Sequence, residues 1–547
     1  MSIDEFEAPF QARPGKLSRR ELIKTGSALG FPSLFGGSAA PSAPANAAAQ
    51  GSERGLSIYE SIGVRPLINC RGTLTIVGGS IELPQVRTAM EAASQYHVHI
   101  DELMEGVGHR LAELTGAEWG IVTAGCAAGM AHVTAACVAG GNPDRHVRIP
   151  NLQGFDKDEV IIPKHSRNVY DASIRNVGVT VLEPSTVQEL EAAFGPRTAM
   201  VYFFSGQRAE SSPLPLEVVA AKANEKNVPV FVDAAAEMLT IPNLHLQKGA
   251  AVVGYSGGKC LRGPQCAGLM IGRKDVLKAA WVQSAPHHGF GRPMKIGKEE
   301  IIGMLAAVEA WVKRDHQAEW KLWLSWLAQI AKRAEAVPGV KTSVREPAGV
   351  NNHSPSLQIT WDSAKLNLLG QEASEELYGG NPRIALGGGG GRGQASGDAS
   401  ISITAYQMQA HEVEIVADRI YEVLSGPRKP RVVQPPKPPA ENIAGRWDVQ
   451  IEFAFGKGQH MLFLEQQGNQ IRGTHQGDFV ARELAGTIDG DAVRVQSSVP
   501  ETFDGFALDF TFSGKVSGDT LSGDLDMGEY LKARWSAKKH RYPDRRA

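Results

Sequence analysis

Between Ile68 and about Pro430 the chain alternates two hydrophobic rhythms. Short, uninterrupted apolar runs read as strands buried on both faces: IVTAG (121–125), EVIIPK (159–164), VTVLEP (179–184), AMVYFF (199–204), VPVFVD (228–233) and AAVVGY (250–255). Helical periods lie between several of them, as in TVQELEAAF and LEVVAAKANEK, and the first run is followed by CAAGMAHVTAACVAG, a helix of small residues. This alternation predicts an α/β fold: a mostly parallel sheet with helices on both faces.

From Lys298 to about Val337 the period is strongly helical, with Trp311, Trp320, Trp323 and Trp326 along it. That stripe reads as packing or a subunit interface rather than a ligand box. The stretch onward to Leu424 predicts a smaller α+β unit, interrupted by GGGGGRGQASG (387–397), too glycine-rich for regular structure. GPRKPRVVQPPKPPAEN (426–442) is an extended, proline-rich linker. Beyond it the period becomes two. GRWDVQIEFAF, QHMLFLEQQ, QIRGTHQG, ELAGTIDG, AVRVQSSV, ALDFTFSGKV, DTLSGDLDM and LKARWSAKK predict eight strands of an antiparallel up-and-down barrel, resembling lipocalin-like barrels. Trp447 and Trp535 are expected to plug its core.

The expected division is a leader over 1–49, an α/β unit over 50–428, a linker over 429–441 and the barrel over 442–540. Within the α/β unit, the large part runs over about 90–300, and the small part over about 300–428 together with the N-terminal segment. In the leader, Ser18-Arg19-Arg20-Glu21-Leu22-Ile23-Lys24 resembles the twin-arginine export motif. A weakly apolar stretch and an Ala45-x-Ala47 cleavage pattern follow. Pro32 and several glycines make the stretch too weak for a stable membrane span. The expectation is export of a folded protein by the twin-arginine machinery to the periplasm or another extracytoplasmic space.

A net charge of −2 gives no global sign of a nucleic-acid or membrane-surface partner. The five cysteines lie between Cys70 and Cys266 without a C-x-x-C, so reduced structural thiols are expected and no metal site.

Three positions carry chemistry. In an open α/β sheet, ligands sit at the carboxyl ends of the strands. Gly125 and Cys126 stand at such an end, where the amides of 125–128 and the helix dipole can hold a phosphate. Asp233 ends VPVFVD, and its carboxylate could hold a protonated ring nitrogen or, equally, cap a helix. Lys259 follows Ser256-Gly257-Gly258 close behind an apolar run, where partial burial disfavours its ammonium form and frees the amine to attack an aldehyde. A phosphate cradle, a pyridinium carboxylate and a Schiff-base lysine, in that order, describe a site for pyridoxal 5′-phosphate (PLP).

LINCRGTLTIVGGS, ELTGAEWGIVTAGCAAGM, VFVDAAAEM, YSGGKCLRGPQCAGLMIGRKDVL and GRPMKIGKEEI resemble blocks of the selenocysteine synthase-related PLP family. That family includes L-seryl-tRNA selenium transferases and, nearer in these blocks, D-glucosaminate-6-phosphate ammonia-lyase-like enzymes. The resemblance spans about 60 to 425 and implies PLP-dependent transferase fold type I, the aspartate aminotransferase-like fold. It also implies Lys259 as the Schiff-base lysine, Asp233 as partner of the pyridine nitrogen, and Gly125, Cys126, Ala127 and Ser256 as phosphate binders. Ala235 is carried over as a cofactor contact and His165 as the ring-stacking candidate. Arg262, Arg292 and Arg383 are candidates to clamp a substrate carboxylate or phosphate, with Lys295 as a contact that a neighbouring subunit could supply.

The expected protein is thus an exported PLP enzyme, a homodimer or larger assembly, acting on a small amino acid or amino sugar acid. Elimination with ammonia release is preferred. Transamination, racemisation or aldol cleavage would use the same apparatus. The chain lacks the basic N-terminal domain expected of a tRNA-charging selenium transferase, and a retired PLP domain in an exported binding protein is disfavoured by intact Lys259 and Asp233.

Overall fold

A computed structural model describes residues 57–388, 398–429, 435–498 and 508–541. The expected leader, most of the glycine-rich loop and residues 430–434 of the linker lie outside the described residues. Residues 57–64 belong to a unit of their own, with a 3-10 turn over Glu60–Ile62 and reciprocal hydrogen bonds between Ser57 and Glu60.

The apolar runs form one seven-stranded sheet. In chain order its strands are β1 (Trp119–Thr123), β2 (Glu159–Ile161), β3 (Thr180–Leu182), β4 (Thr198–Phe204), β5 (Val230–Asp233), β6 (Val252–Ser256) and β7 (Gly268–Gly272). They lie side by side in the order β1-β7-β6-β5-β4-β2-β3. Pairings from β3 through β6 are parallel, while β7 runs antiparallel to both neighbours. Every residue of β1, β5 and β7 is buried, as expected for strands covered on both faces. Helix α1 (Cys126–Ala139) is buried nearly all round, so its small residues let it sink against the sheet.

The expected helical stretch is made of two helices, α2 (Lys298–Lys313) and α3 (His316–Ala334), the latter N-capped by Asp315. Ile301, Met304, Val308 and Trp311 of α2 join the core of the large sheet. Leu327 and Ile330 of α3 join a second core. That core lies against a three-stranded antiparallel sheet with Ser356–Asp362 between Lys341–Arg345 and Asp398–Thr404. A parallel pair, Leu67–Cys70 with Arg383–Leu386, brings the N-terminal segment into the same core.

The alternating C-terminal segments close into an eight-stranded antiparallel barrel, the last strand pairing with the first at Trp447↔Lys539. Closure removes every strand edge. Trp447 and Trp535 fill its interior, and each indole N–H finds a backbone carbonyl, that of Ile443 for Trp447 and those of Ser513 and Asp524 for Trp535. Among the described residues no helix is long and apolar enough to cross a membrane.

Candidate active site

Asp233, the last residue of β5, is buried at the carboxyl edge of the sheet. Its Oδ2 accepts the hydroxyl of Tyr202 at 2.9 Å and its Oδ1 the amide of Ala235 at 3.0 Å. Asn168 donates to the same tyrosine oxygen at 3.0 Å, which fixes the hydroxyl toward the carboxylate. No helix begins at Asp233, and the next one, Leu244–Gln247, is capped by Asn243, so the capping alternative falls away. Burial pushes the Asp233 carboxyl above its ordinary value, against the two donors and the pull of Lys259. No cation pairs with it among the described residues. It is a buried acid with neutral donors only, and a cationic ring N–H is the partner it lacks.

Helix α1 opens beside it. Gly125 has φ +87°, a left-handed conformation that a side chain would strain. Its amide turns back to the carbonyl of Thr123 at 2.8 Å. Gly125 therefore shapes the cradle without donating to it, a correction to its expected role as a donor. The amides of Cys126, Ala127 and Ala128 open the helix with no acceptor among the described residues. The Cys126 side chain faces inward, its Sγ 3.8 Å from Asp233 Oδ1, and burial first and that carboxylate second push the thiol well up, so it stays protonated. Gly268 of β7 packs against this turn, where a Cβ would overlap the backbone of Gly125 and Cys126.

β7 also connects the cradle to the lysine. Gly268 pairs with Thr123 on one side and with Ser256 on the other. Residues 257–267 form the loop between those rungs, held by Gly257 N–H to Ala267 O at 2.8 Å and Gly263 N–H to Gly257 O at 2.9 Å. Lys259 sits half-buried on this loop where two cavities meet. Thr73, Ala236, Asn352, Ser354 and Tyr406 line both. The smaller, about 300 Å³, runs toward Trp311, Trp320 and Trp323. The larger, about 680 Å³, runs toward Arg71, Arg345 and Asn351.

His165 stands in a 3-10 turn beyond β2, with Nδ1 3.1 Å from Ser212 Oγ and its ring edge-on to Phe203. Its Nε2 is buried without a hydrogen-bond partner among the described residues. Burial, aided by Arg208, lowers its pKa to about 4, so the ring is neutral.

The expected clamp residues divide. Arg262 lines the smaller cavity, with its Nε on the carbonyl of Ile81 at 3.0 Å. Arg292 and Lys295 are exposed and line neither cavity. Arg383 begins its strand opposite Leu67, and that register leaves its guanidinium over the Tyr378 ring, 4.9 Å from the centroid and outside both cavities. Arg71 and Arg345 occupy the cavity wall instead, with no ion pair among the described residues. Trp320 and Trp323, expected as packing or a subunit interface, line the smaller cavity. Tyr202 was also not foreseen; a tyrosine inside the apolar run AMVYFF signals a buried hydroxyl that needs a partner.

The aminotransferase class-V family profile matches residues 86–291. The 5′-C-glycyluridine monooxygenase-decarboxylase of Streptomyces sp is 32% identical over 341 residues, covering 60% of this chain and 83% of the relative. The chain belongs to the aminotransferase class-V family. The D-glucosaminate-6-phosphate ammonia lyase of Salmonella typhimurium (strain 14028s / SGSC 2262) is 29% identical over 60% of this chain and 88% of its own length. A solved D-glucosaminate-6-phosphate ammonia-lyase superposes with a TM-score of 0.60 at 26% identity, over 68% of this chain and 98% of that one. The L-seryl-tRNA(Sec) selenium transferase of Proteus mirabilis (strain HI4320) is 25% identical over 48% of this chain and 59% of the relative.

This class-V protein is a PLP-dependent enzyme of fold type I with an added barrel. Its residues fit the cofactor: an unpaired buried carboxylate, three open helix amides and a primary amine converge on one edge of the sheet.

Proposed function

We propose that this enzyme is a lyase acting on an acidic amino acid or amino sugar acid, eliminating a β-substituent with release of ammonia. The observation that carries the reading is Lys259 at the junction of two cavities, one walled by the unpaired Arg71 and Arg345. PLP, when bound, supplies the electron sink that makes the substrate Cα–H acidic. Asp233 would hold its ring nitrogen, the amides of Cys126, Ala127 and Ala128 with Ser256 its phosphate, and His165 one ring face. Lys259 would anchor the cofactor through its amine and would serve as the base that takes the substrate Cα proton and hands one to the leaving group. Arg71 and Arg345, with Arg262 from the other side, orient the substrate's carboxylate or phosphate so that the Cα–H points at Lys259 Nζ. Support comes from the ammonia lyase that shares 29% identity with this chain.

We propose further that the enzyme works as a homo-oligomer, with Lys295 presented to a neighbouring subunit, and that it is exported folded through the twin-arginine route to the periplasm. Two measurements test the main reading. Borohydride reduction and peptide mass spectrometry are expected to find a pyridoxyl group on Lys259. A panel of amino acids and amino sugar acids is expected to give ammonia and a keto acid from at least one member. Carbon dioxide release without ammonia would replace the lyase by a decarboxylase, as the name of the 32% identical relative suggests.

A further inference from the structure

The barrel interior is apolar except at one end. There four consecutive strands each turn a polar side chain inward: His460 from Lys457–Gln467, His475 from Gln470–Gln476, Arg482 from Ala481–Asp489 and Ser497 from Ala492–Ser498. Register places His475 opposite Arg482 and Ser497 opposite Phe510 of the next strand. The imidazoles satisfy one another. His460 Nδ1 lies 2.9 Å from His475 Nε2, and His475 Nδ1 lies 2.7 Å from Ser497 Oγ. Burial lowers the pKa of both, that of His475 to about 3, so neither ring carries charge.

Arg482 has no comparable arrangement. It is 8% exposed, and its Nε and Nη1 are buried with no hydrogen-bond partner among the described residues. The guanidinium stands over the Phe510 ring at 4.9 Å from the centroid. Asp478 approaches the cluster at His460 Nε2, 3.9 Å away with its side chain largely exposed, and makes no ion pair with Arg482. A guanidinium stays protonated at any working pH, and burying one unpaired is strongly unfavourable. Packing alone would favour leucine or methionine at 482, continuing the row of Leu484 and Ile488. The mouth of a small barrel is also where such folds hold ligands.

We propose that this end of the barrel binds the oxyanion group of a small molecule, a carboxylate or a phosphate, through the unpaired donors of Arg482, with the body of the molecule against Phe510. The site is separate from Lys259 and does not depend on the lyase reading.

The test uses the PLP-loaded enzyme, titrated by calorimetry with benzoate and, separately, with inorganic phosphate. At least one is expected to bind once per chain with the cofactor's absorption unchanged, and R482Q is expected to weaken it by about tenfold or more. Hydrogen exchange is expected to slow in peptides spanning 475–484. A response to benzoate alone assigns the carboxylate class, and a response to phosphate alone the phosphate class. Ligand-free R482L is expected to unfold at a higher urea concentration than the native protein, since the unpaired charge is gone. A lower midpoint would mean that Arg482 is already satisfied within the protein, and it overturns the proposal. So does binding that R482Q leaves undiminished, or no binding of either probe.

Discussion

The Tyr202 hydroxyl reaches across from β4 to donate to Asp233 on β5 at 2.9 Å, although the backbone partner of Asp233 in the ladder is Phe204. The tyrosine is buried, which pushes its own pKa well up and keeps it a donor. It therefore holds a buried carboxylate that the cofactor's ring nitrogen must find in one position. Y202F is expected to cost about 1–3 kcal/mol of stability in urea unfolding, the range for a buried charge-assisted hydrogen bond. The same variant should retain less PLP after gel filtration.

Asp233 gives a pH signature. Its carboxyl is raised above an ordinary value near 3.8, chiefly by burial. A group that holds its proton more tightly folded than unfolded stabilises at low pH, and that contribution is lost as the pH rises through its folded pKa. Cofactor-free native protein should thus lose stability relative to D233N as the pH climbs from about 4 toward neutrality. Paired urea midpoints measure this. Loading with PLP should flatten the difference, because a ring N–H then faces the charge.

Gly268 is expected to be intolerant for a steric reason. In G268A the new methyl meets the backbone of Gly125 and Cys126, and neither can swing aside as a side chain could. Overpacking of this kind costs about 1–3 kcal/mol. The first turn of α1 moves with it, so cofactor absorbance after dialysis should fall more than in a methyl-adding variant elsewhere, such as G106A, where nothing lies within reach.

The cationic wall separates binding from turnover. R345A should raise KM about ten- to a hundredfold, as expected for loss of one charge-assisted contact, with kcat changed far less. R383A, whose guanidinium rests on Tyr378, should leave KM where it was. Steady-state kinetics on the substrate found by the ammonia screen distinguishes them.

The sheet was readable because strands buried on both faces become unbroken apolar runs, as in VPVFVD and AAVVGY. β7 escaped because GLMIG carries glycine at both ends and follows the lysine loop without a helix between. The barrel was legible in full, since strict alternation has no helical counterpart. Asp233 drew attention locally because it ends its strand, and Lys259 because it follows two glycines just beyond one. Tyr202 could not, since its partner is on a neighbouring strand whose register no local pattern encodes. Arg71 and Arg345 reach the cavity through the packing of the small unit, whereas Arg292 and Arg383 only shared their chemistry. The polar end of the barrel left a trace in parity alone: His460 falls in step with Leu462 and Leu464.

Ser256 and Gly268 face each other across one rung, and residues 257–267 leave the sheet at the first and return at the second. The amine therefore rides on a closed excursion whose two feet are fixed by the sheet and whose turns are held by buried glycines, with only Gln265 and Cys266 exposed. Exchanges within the loop would act on the aim of Lys259 before they reached any strand pairing. The aim of the amine and the floor beneath the cofactor are thus set by separate stretches of chain, the loop and the strands.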